Sequence, residues 1–406
     1  MMPKTNPVHS VHRDARHFPL AFFAALSLFA LPLIALADLK PVATFDQDVQ
    51  AFAISQDNHI IYAVQRMKRV KKIIVEHDDF WVGDIDGKRK KIIDGDKFNP
   101  APGSEEDMPP AEPADEQDDK DKKGKKHTPI PPQHSYQVDS LTWSPDSRRI
   151  VVKMDTSLMA QPQGTVVQQL DEQQTVRPNT LLYLMDTEGR QIQIQGSKTS
   201  TLADAFNADW LADGATLVYL SKTSGNFSQM NALRPSDGKT RVLFEGHTFS
   251  AVSWDTKRNQ AFAIEESTQA VAPPKIVQLD LANEKRKELA PLEEYAGFLT
   301  ISPSASKIAY FRNGDTLEVR EVANPSKTVQ VRVAIGQFQW DRSEQRVLLK
   351  RGEPQRSGDL VWVGLYNGQF EPFFHGLEFH NFAIAPDGGT AAVTEPGKRA
   401  LVLYRF

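Results

Sequence analysis

No cysteine occurs anywhere in the 406 residues. That excludes disulfides, thiolate metal centres, a cysteine nucleophile and lipidation of an N-terminal cysteine. Excess charge of one sign is also missing. Forty-eight basic side chains face 52 acidic ones, a net charge of −4, so the whole chain exerts no pull toward nucleic acid. There is no G-x-S-x-G elbow, phosphate-binding loop, dinucleotide fingerprint or H-E-x-x-H helix. Long apolar runs are absent except for one, from Pro19 to Ala35.

That run follows Lys4, Arg13 and Arg16 and precedes the small-residue site Ala35-Leu36-Ala37. This is the order of a secretory signal peptide over residues 1–37, cleaved before Asp38. The run is marginal for spanning a bilayer, and Pro32 disturbs a helix there; retention as an anchor is the alternative. With disulfides excluded, the expected compartment is a bacterial periplasm or the extracellular space, with no stable membrane span after cleavage.

What the chain has in abundance is one hairpin phrase. It reads FAISQDNHIIYAV from Phe52, LTWSPDSRRIVVKM from Leu141, ADWLADGATLVYL from Ala208 and AVSWDTKRNQAFAI from Ala251. It returns as FLTISPSASKIAYF from Phe298, GQFQWDRSEQRVLL from Gly336 and NFAIAPDGGTAAV from Asn381. Each copy is a β-rich stretch, a short polar turn and a second β-rich stretch. Proline presets φ in the turn, and Gly214, Gly388 or Asn58 supplies the left-handed residue that follows. Landmarks at 57, 146, 213, 255, 304, 341 and 387 give last four spacings of 37 to 49 residues. A four-stranded blade needs about 40–45. The first two spacings hold one blade plus an insertion each.

A second half-repeat follows, as in DFWVGDIDGKRKKII from Asp79 and TLLYLMDTEGRQIQI from Thr180. Its tight turns are Asp86-Gly87, Glu188-Gly189, Asp237-Gly238 and Asn367-Gly368, all strong hairpin signals. Residues 143–154 with 181–194, and 210–244, resemble the WSPDG…IYxxDxDG repeats (PD40, WD40-like) of TolB-type β-propellers. Those repeats also occur in the propeller of prolyl-oligopeptidase-like enzymes, whose hydrolase domain has no counterpart here. The likeness covers nearly all of residues 38–406. It is loosest in the fourth and sixth copies, where Asp255-Thr256 and Asp341-Arg342 lack both Pro and Gly. TolB itself carries an N-terminal α/β domain, and here the first copy begins within 15 residues of the cleavage site.

The expected fold is all-β: a seven-bladed β-propeller of four-stranded antiparallel blades. The seventh copy supplies only three strands, so residues 40–46 are expected to pair with the strand around 400–405 and close the ring. Six blades plus a stray hairpin is the alternative. Trp143, Trp210, Trp254 and Trp340 share one place beside the turn and read as inter-blade packing rather than as a ligand cage.

Two insertions break the rhythm. Residues 99–135 are rich in Pro, Asp, Glu and Lys, with eight acids and no base from Glu105 to Asp119, and read as disordered. Residues 155–179 are polar and Gln-rich and read as a long hairpin or surface loop. The first copy carries Arg66, Lys68, Arg69, Lys71 and Lys72, then Lys88, Arg89, Lys90 and Lys91. One reading is a patch for an anionic partner; the other is a solvated or acid-neutralised face. Glu76-His77-Asp78-Asp79 reads as a solvated turn, with too few ligands for a metal. His247, His375 and His380 stand before inner strands and are candidates for lining the central channel.

No catalytic constellation emerges, and neither a cofactor nor a metal is expected. The resemblance implies a non-catalytic scaffold that holds another envelope protein or a peptide, and a monomer is expected. A propeller enzyme, or a small-ligand or glycan binder acting through the channel, is the alternative. Such proteins usually place several His, Asp or Glu residues at the inner-strand starts, and Gln50, Asp139, Asn207, Ser250, Gly297, Gly336 and His380 are an unpromising set.

Overall fold

Along the second strand of the first repeat, Ile60, Tyr62 and Val64 join one core while Ile61 and Ala63 join another. Successive strand residues point to opposite faces, so an apolar strand must be covered on both sides. The fourth repeat does the same with Ala261 and Ala263 against Phe262 and Ile264. Sheets with two apolar faces pack on a neighbour to either side, and the economical arrangement is a ring.

The computed structural model describes residues 41–405, apart from 47, 71–72, 99–135, 156–179, 198–200, 223–227, 268–271, 293–295, 335, 353–356, 374–377, 396 and 398. It is a seven-bladed β-propeller with four antiparallel strands per blade. Blade 1 comprises Val49–Ile54, His59–Val70, Ile73–Asp84 and Arg89–Ile93, from the axis outward. The inner strands of blades 2 to 6 are Gln137–Trp143, Ala205–Trp210, Thr248–Asp255, Ala296–Ile301 and Phe338–Trp340. In blade 6, Glu378–Phe379 also pairs with the third strand, Gly358–Gly364. The inner strands of blades 1 and 2, 2 and 3, 4 and 5, and 7 and 1 touch, which draws them toward the axis.

Blade 7 is built from both ends of the chain. Phe382–Ile384, Thr390–Thr394 and Leu401–Arg405 come from the last repeat, and Pro41–Thr44 adds the outer strand. The closure expected from the strand deficit is therefore present, and the six-blade alternative fails. Beyond the latch strand, Phe45 buries its ring with Tyr62 of blade 1, centroids 5.6 Å apart.

The turn between the first two strands has the same hydrogen bond in every blade: Asn58, Ser147, Gly214, Asn259, Ala305, Glu344 and Gly388 each donate N–H to the carbonyl three residues back. All seven adopt positive φ, from 51° to 73°. Glycine meets that demand freely; the other five residues tolerate it because the strands on either side fix the turn. This bond corrects two landmarks. The residues equivalent to Asp146 are Arg258 in blade 4 and Ser343 in blade 6, not Asp255 and Asp341, and the last four spacings then run from 39 to 46.

Another expectation fails outright. Glu76-His77-Asp78-Asp79 is no solvated turn: it lies within the third strand of blade 1, where Asp78 and Asp79 are buried. Two twelve-residue strands make this hairpin the longest among the described residues, registered from His59 opposite Asp84 to Val70 opposite Ile73. Residues 1–37 and both insertions, bar Asp155, fall outside the described residues. Among the described residues, no helix is long and apolar enough to cross a membrane.

Candidate functional site

The inner strands enter the ring at one end and reach their turns at the other, so each blade offers side chains to two axial mouths. At the entry end of blade 1, Arg66, Arg89 and Lys91 gather around two carboxylates. Arg89 Nη1 lies 2.8 Å from Asp46 Oδ2, and Lys91 Nζ lies 2.8 Å from Asp79 Oδ2. Arg66 approaches both acids at 3.8 Å. Trp81 lies beneath Arg89 and Lys91, at 5.5 and 5.6 Å from its ring centroid. Three of the nine expected patch cations are thus neutralised by the blade's own acids. Lys88 and Lys90 are exposed. Lys68 and Arg69 occupy the extended second strand, and Lys71 and Lys72 lie outside the described residues.

The histidines do not converge. His247 contacts Glu265 through Nδ1, and the same carboxylate accepts from Arg286 Nε at 2.9 and 3.0 Å. Burial pushes the Glu265 carboxyl up, but the hydrogen bonds from Arg286 and His247 outweigh it and hold it below the usual range. His380 sits between blades 6 and 7, where its carbonyl accepts from Lys350 Nζ at 2.6 Å. Burial, then Arg399 and Lys350, hold the His380 imidazole below its ordinary value. Lys350 is fully buried, and that burial lowers its ammonium to about 8. Arg399 donates to Gln50 Oε1 at 2.7 Å. This corner of the mouth is basic. His375 lies outside the described residues.

Sequence reasoning missed two cavities and one lone acid. Burial pushes the carboxyl of Asp209, on the inner strand of blade 3, up to about 7, with one opposing hydrogen bond from Trp210 N. A cavity of about 470 Å³ lies at the inner strands of blades 2 and 3, between Ser140, Thr142, Phe206 and Asn207. Phe298 of blade 5 also lines it, 46% exposed and at a φ of 55°. Positive φ is a genuine outlier for an aromatic residue, and it falls in a β-bulge between Gly297 and Thr300.

The larger cavity, about 570 Å³, opens at the turn end and is lined by four consecutive blades. Trp254, Ile301, Trp340 and Ile384 form its walls, and Lys257, Pro303, Arg342 and Pro386 its rim. The surrounding turns brace one another. Glu344 accepts from the Oγ atoms of Ser304 at 2.8 Å and Ser306 at 3.0 Å, and Gln339 Oε1 accepts Ile384 N at 2.7 Å. Trp254 Nε1 donates to Asn207 O at 3.0 Å, as Trp143 Nε1 does to Ala53 O at 3.1 Å. Each bond crosses to the preceding blade, so the shared tryptophan is a packing device. The buried Nε1 atoms of Trp210 and Trp340 have no such acceptor.

No family model matches this chain, and no curated protein does. Solved structures match broadly. A chain of the "Mitotic Checkpoint Complex" crystal structure is 12% identical with a TM-score of 0.53, covering 97% of this chain and 99% of that one. The β-propeller domain of Cps50 (Swd1) from Myceliophteria thermophila is 9% identical with a TM-score of 0.53, covering 89% and 98%. These likenesses go with a WD40-type propeller fold and no further; the narrower TolB-type subtype rests on the repeat motifs alone.

Proposed function

We propose that the protein is a non-catalytic propeller scaffold that holds a protein or peptide partner in the bacterial envelope. One observation carries the reading. The clustered ionisable groups are consumed by the blades themselves, Asp46 and Asp79 by Arg89 and Lys91 and Glu265 by Arg286 and His247, which leaves Asp209 a lone acid rather than one of a catalytic pair. What faces the larger cavity instead is aromatic, prolyl, hydroxyl and cationic surface on a braced frame. Such a surface suits recognition, which gains from preorganisation, more than proton transfer. The Mitotic Checkpoint Complex likeness, a component of a protein assembly, agrees with this class of role. Export rests on the N-terminal sequence: three basic residues, an apolar run and Ala35-Leu36-Ala37.

The test is chemical crosslinking of the chain beginning at Asp38 to a bacterial envelope extract, beside metal analysis of the same preparation. A reproducible crosslinked envelope protein, absent with heat-unfolded chain, supports the scaffold. A stoichiometric bound metal, or no crosslinked partner, overturns it.

A further inference from the structure

The rim of the turn-end cavity carries positive charge that no acid neutralises among the described residues. Most turn carboxylates are already engaged. Asp213 Oδ1 accepts Ala215 N and Thr216 N, each at 2.8 Å, and Asp387 Oδ1 accepts Gly389 N at 2.8 Å and Thr390 N at 3.1 Å. Within the cavity lining the charged residues are Asp255, Lys257 and Arg342. Asp255 is buried and paired with Arg258 Nη1 at 2.9 Å. Lys257 is exposed and forms no ion pair among the described residues. Arg342, also exposed, has one long hydrogen bond, 3.4 Å to the Asp387 carbonyl, and no acid among the described residues. Two unspent cations therefore stand on the rim of an otherwise apolar and hydroxyl-lined hollow.

The hollow is preformed. Trp254 is half-buried and its ring is pinned by the Asn207 carbonyl; Ile301 is pinned through its N–H to Ser253 Oγ at 3.0 Å, and Ile384 through Gln339. A volume of about 570 Å³ lies within the range of roughly 300–1,000 Å³ typical of ligand pockets and accepts a few residues of extended chain. We propose that this cavity binds an acidic peptide segment of a partner protein. Its carboxylates meet Lys257 and Arg342, and its apolar side chains lie on Trp254, Ile301 and Ile384. The inference rests on the scaffold reading and names the face and the chemistry of the partner. Arginine at the rim favours a carboxylate through its planar pair of donors, and the apolar walls select against a bare anion.

The probe is an acetylated, amidated hexapeptide alternating Glu and Leu, titrated into the protein while indole fluorescence is followed. A matched Gln–Leu peptide and inorganic phosphate serve as competitors. Saturable binding is expected, weakened at least tenfold by the double variant Lys257→Glu, Arg342→Glu and by the Gln–Leu replacement. Both positions are exposed, so the unfolding midpoint of the variant should match the parent and separate lost binding from lost folding. Equal binding of the Gln–Leu peptide, an unaffected double variant, or displacement by phosphate at equal concentration overturns the proposal. If the double variant fails to bind the hexapeptide yet still crosslinks every envelope partner, the scaffold stands and this site is not where it works. If the parent binds the hexapeptide but crosslinks nothing, the site stands and the scaffold reading falls.

Discussion

Phe45 N donates to the Leu401 carbonyl at 2.8 Å, joining the two ends of the chain. The side chains of both residues are buried in one core with Val49, Tyr62 and Leu403. The backbone bond closes blade 7, and the shared core fastens blade 7 to blade 1. Phe45→Ala removes a large ring from a site that cannot readily collapse, a loss of roughly 3–5 kcal/mol. At about 2–4 °C per kcal/mol for a large domain, the unfolding midpoint falls by roughly 6 °C or more. Deleting residues 38–47 should cost more still. A calorimetric midpoint within 2 °C of the parent, for either variant, would remove the latch from the account.

That latch was legible because it follows from counting. Seven turns and a final repeat of three strands require one more strand, and the stretch after Lys40 was the only unassigned candidate. The turns were legible because their chemistry is local, though Asp341 misled: it looks like Asp146, while the bond that defines the turn ends on Glu344. The larger cavity was not legible at all. Trp254, Ile301, Trp340 and Ile384 come from four repeats, and nothing in any one repeat says that they meet. The meeting of His247, Glu265 and Arg286 was hidden for the same reason.

The tryptophan shared by four blades permits a comparison within one protein. Trp143 donates across the blade 1–2 seam to Ala53 O, whereas Trp340 has no acceptor. Both rings are more than nine-tenths buried, so Trp→Phe removes similar packing at each. Only Trp143→Phe also removes a hydrogen bond across the seam, which adds about 1 kcal/mol. Denaturant titration should find Trp143→Phe the more damaging by about 1 kcal/mol. Equal losses would mean that the seam bond contributes nothing.

Glu265 should make part of the stability acid-sensitive. Burial raises its carboxyl, but Arg286 and His247 bring the net value below that of the unfolded chain. A depressed folded value means that the unfolded state binds more protons in the window between the two, so stability falls as pH drops through it. The contribution is fully present above the ordinary glutamate value, about 4.3, and disappears below the folded one. Glu265→Gln leaves Arg286 without its acceptor charge and should cost roughly 3 kcal/mol at pH 7. The gap between variant and parent should narrow steadily between pH 5 and pH 3. A gap independent of pH would assign the loss to packing instead.

Lys350 works in the opposite sense and at the other end of the scale. Burial lowers its ammonium from 10.5 to about 8, so between those values the unfolded chain holds the proton more tightly than the folded one. Stability should therefore rise as pH increases from 8 to 10.5, and the cost of the buried charge is carried in full below 8. Lys350→Met abolishes that cost but also removes the 2.6 Å bond to the His380 carbonyl. Near pH 7 these effects oppose, and the variant should lie within about 2 kcal/mol of the parent. Raising the pH relieves only the parent, which should gain on the variant across the alkaline window. Paired urea titrations at pH 7 and pH 10 read that difference directly, and a variant that gains on the parent would reverse the assignment.

The cations of blade 1 are held in check by acids close at hand, and removing one acid should unmask them. Asp46 is the accessible choice, since it bonds Arg89 at 2.8 Å and approaches Arg66, while Asp79 is buried and also accepts Gly95 N. Asp46→Asn keeps the shape and removes one negative charge between two arginines. Exposed Lys88 and Lys90 stand beside them, so the local field becomes distinctly positive. Retention on heparin at low salt should lengthen for the variant, and the gain should vanish near 0.5 M salt, where screening acts within about 4–5 Å. A second variant lacking residues 104–126 separates the contributions, because that stretch holds the only long acidic run. Added retention in the deletion but none in Asp46→Asn would make the insertion the mask; the reverse would make the blade's own carboxylate sufficient. Unchanged retention in both would leave the nine cations as a solvated face, with no anionic partner to account for.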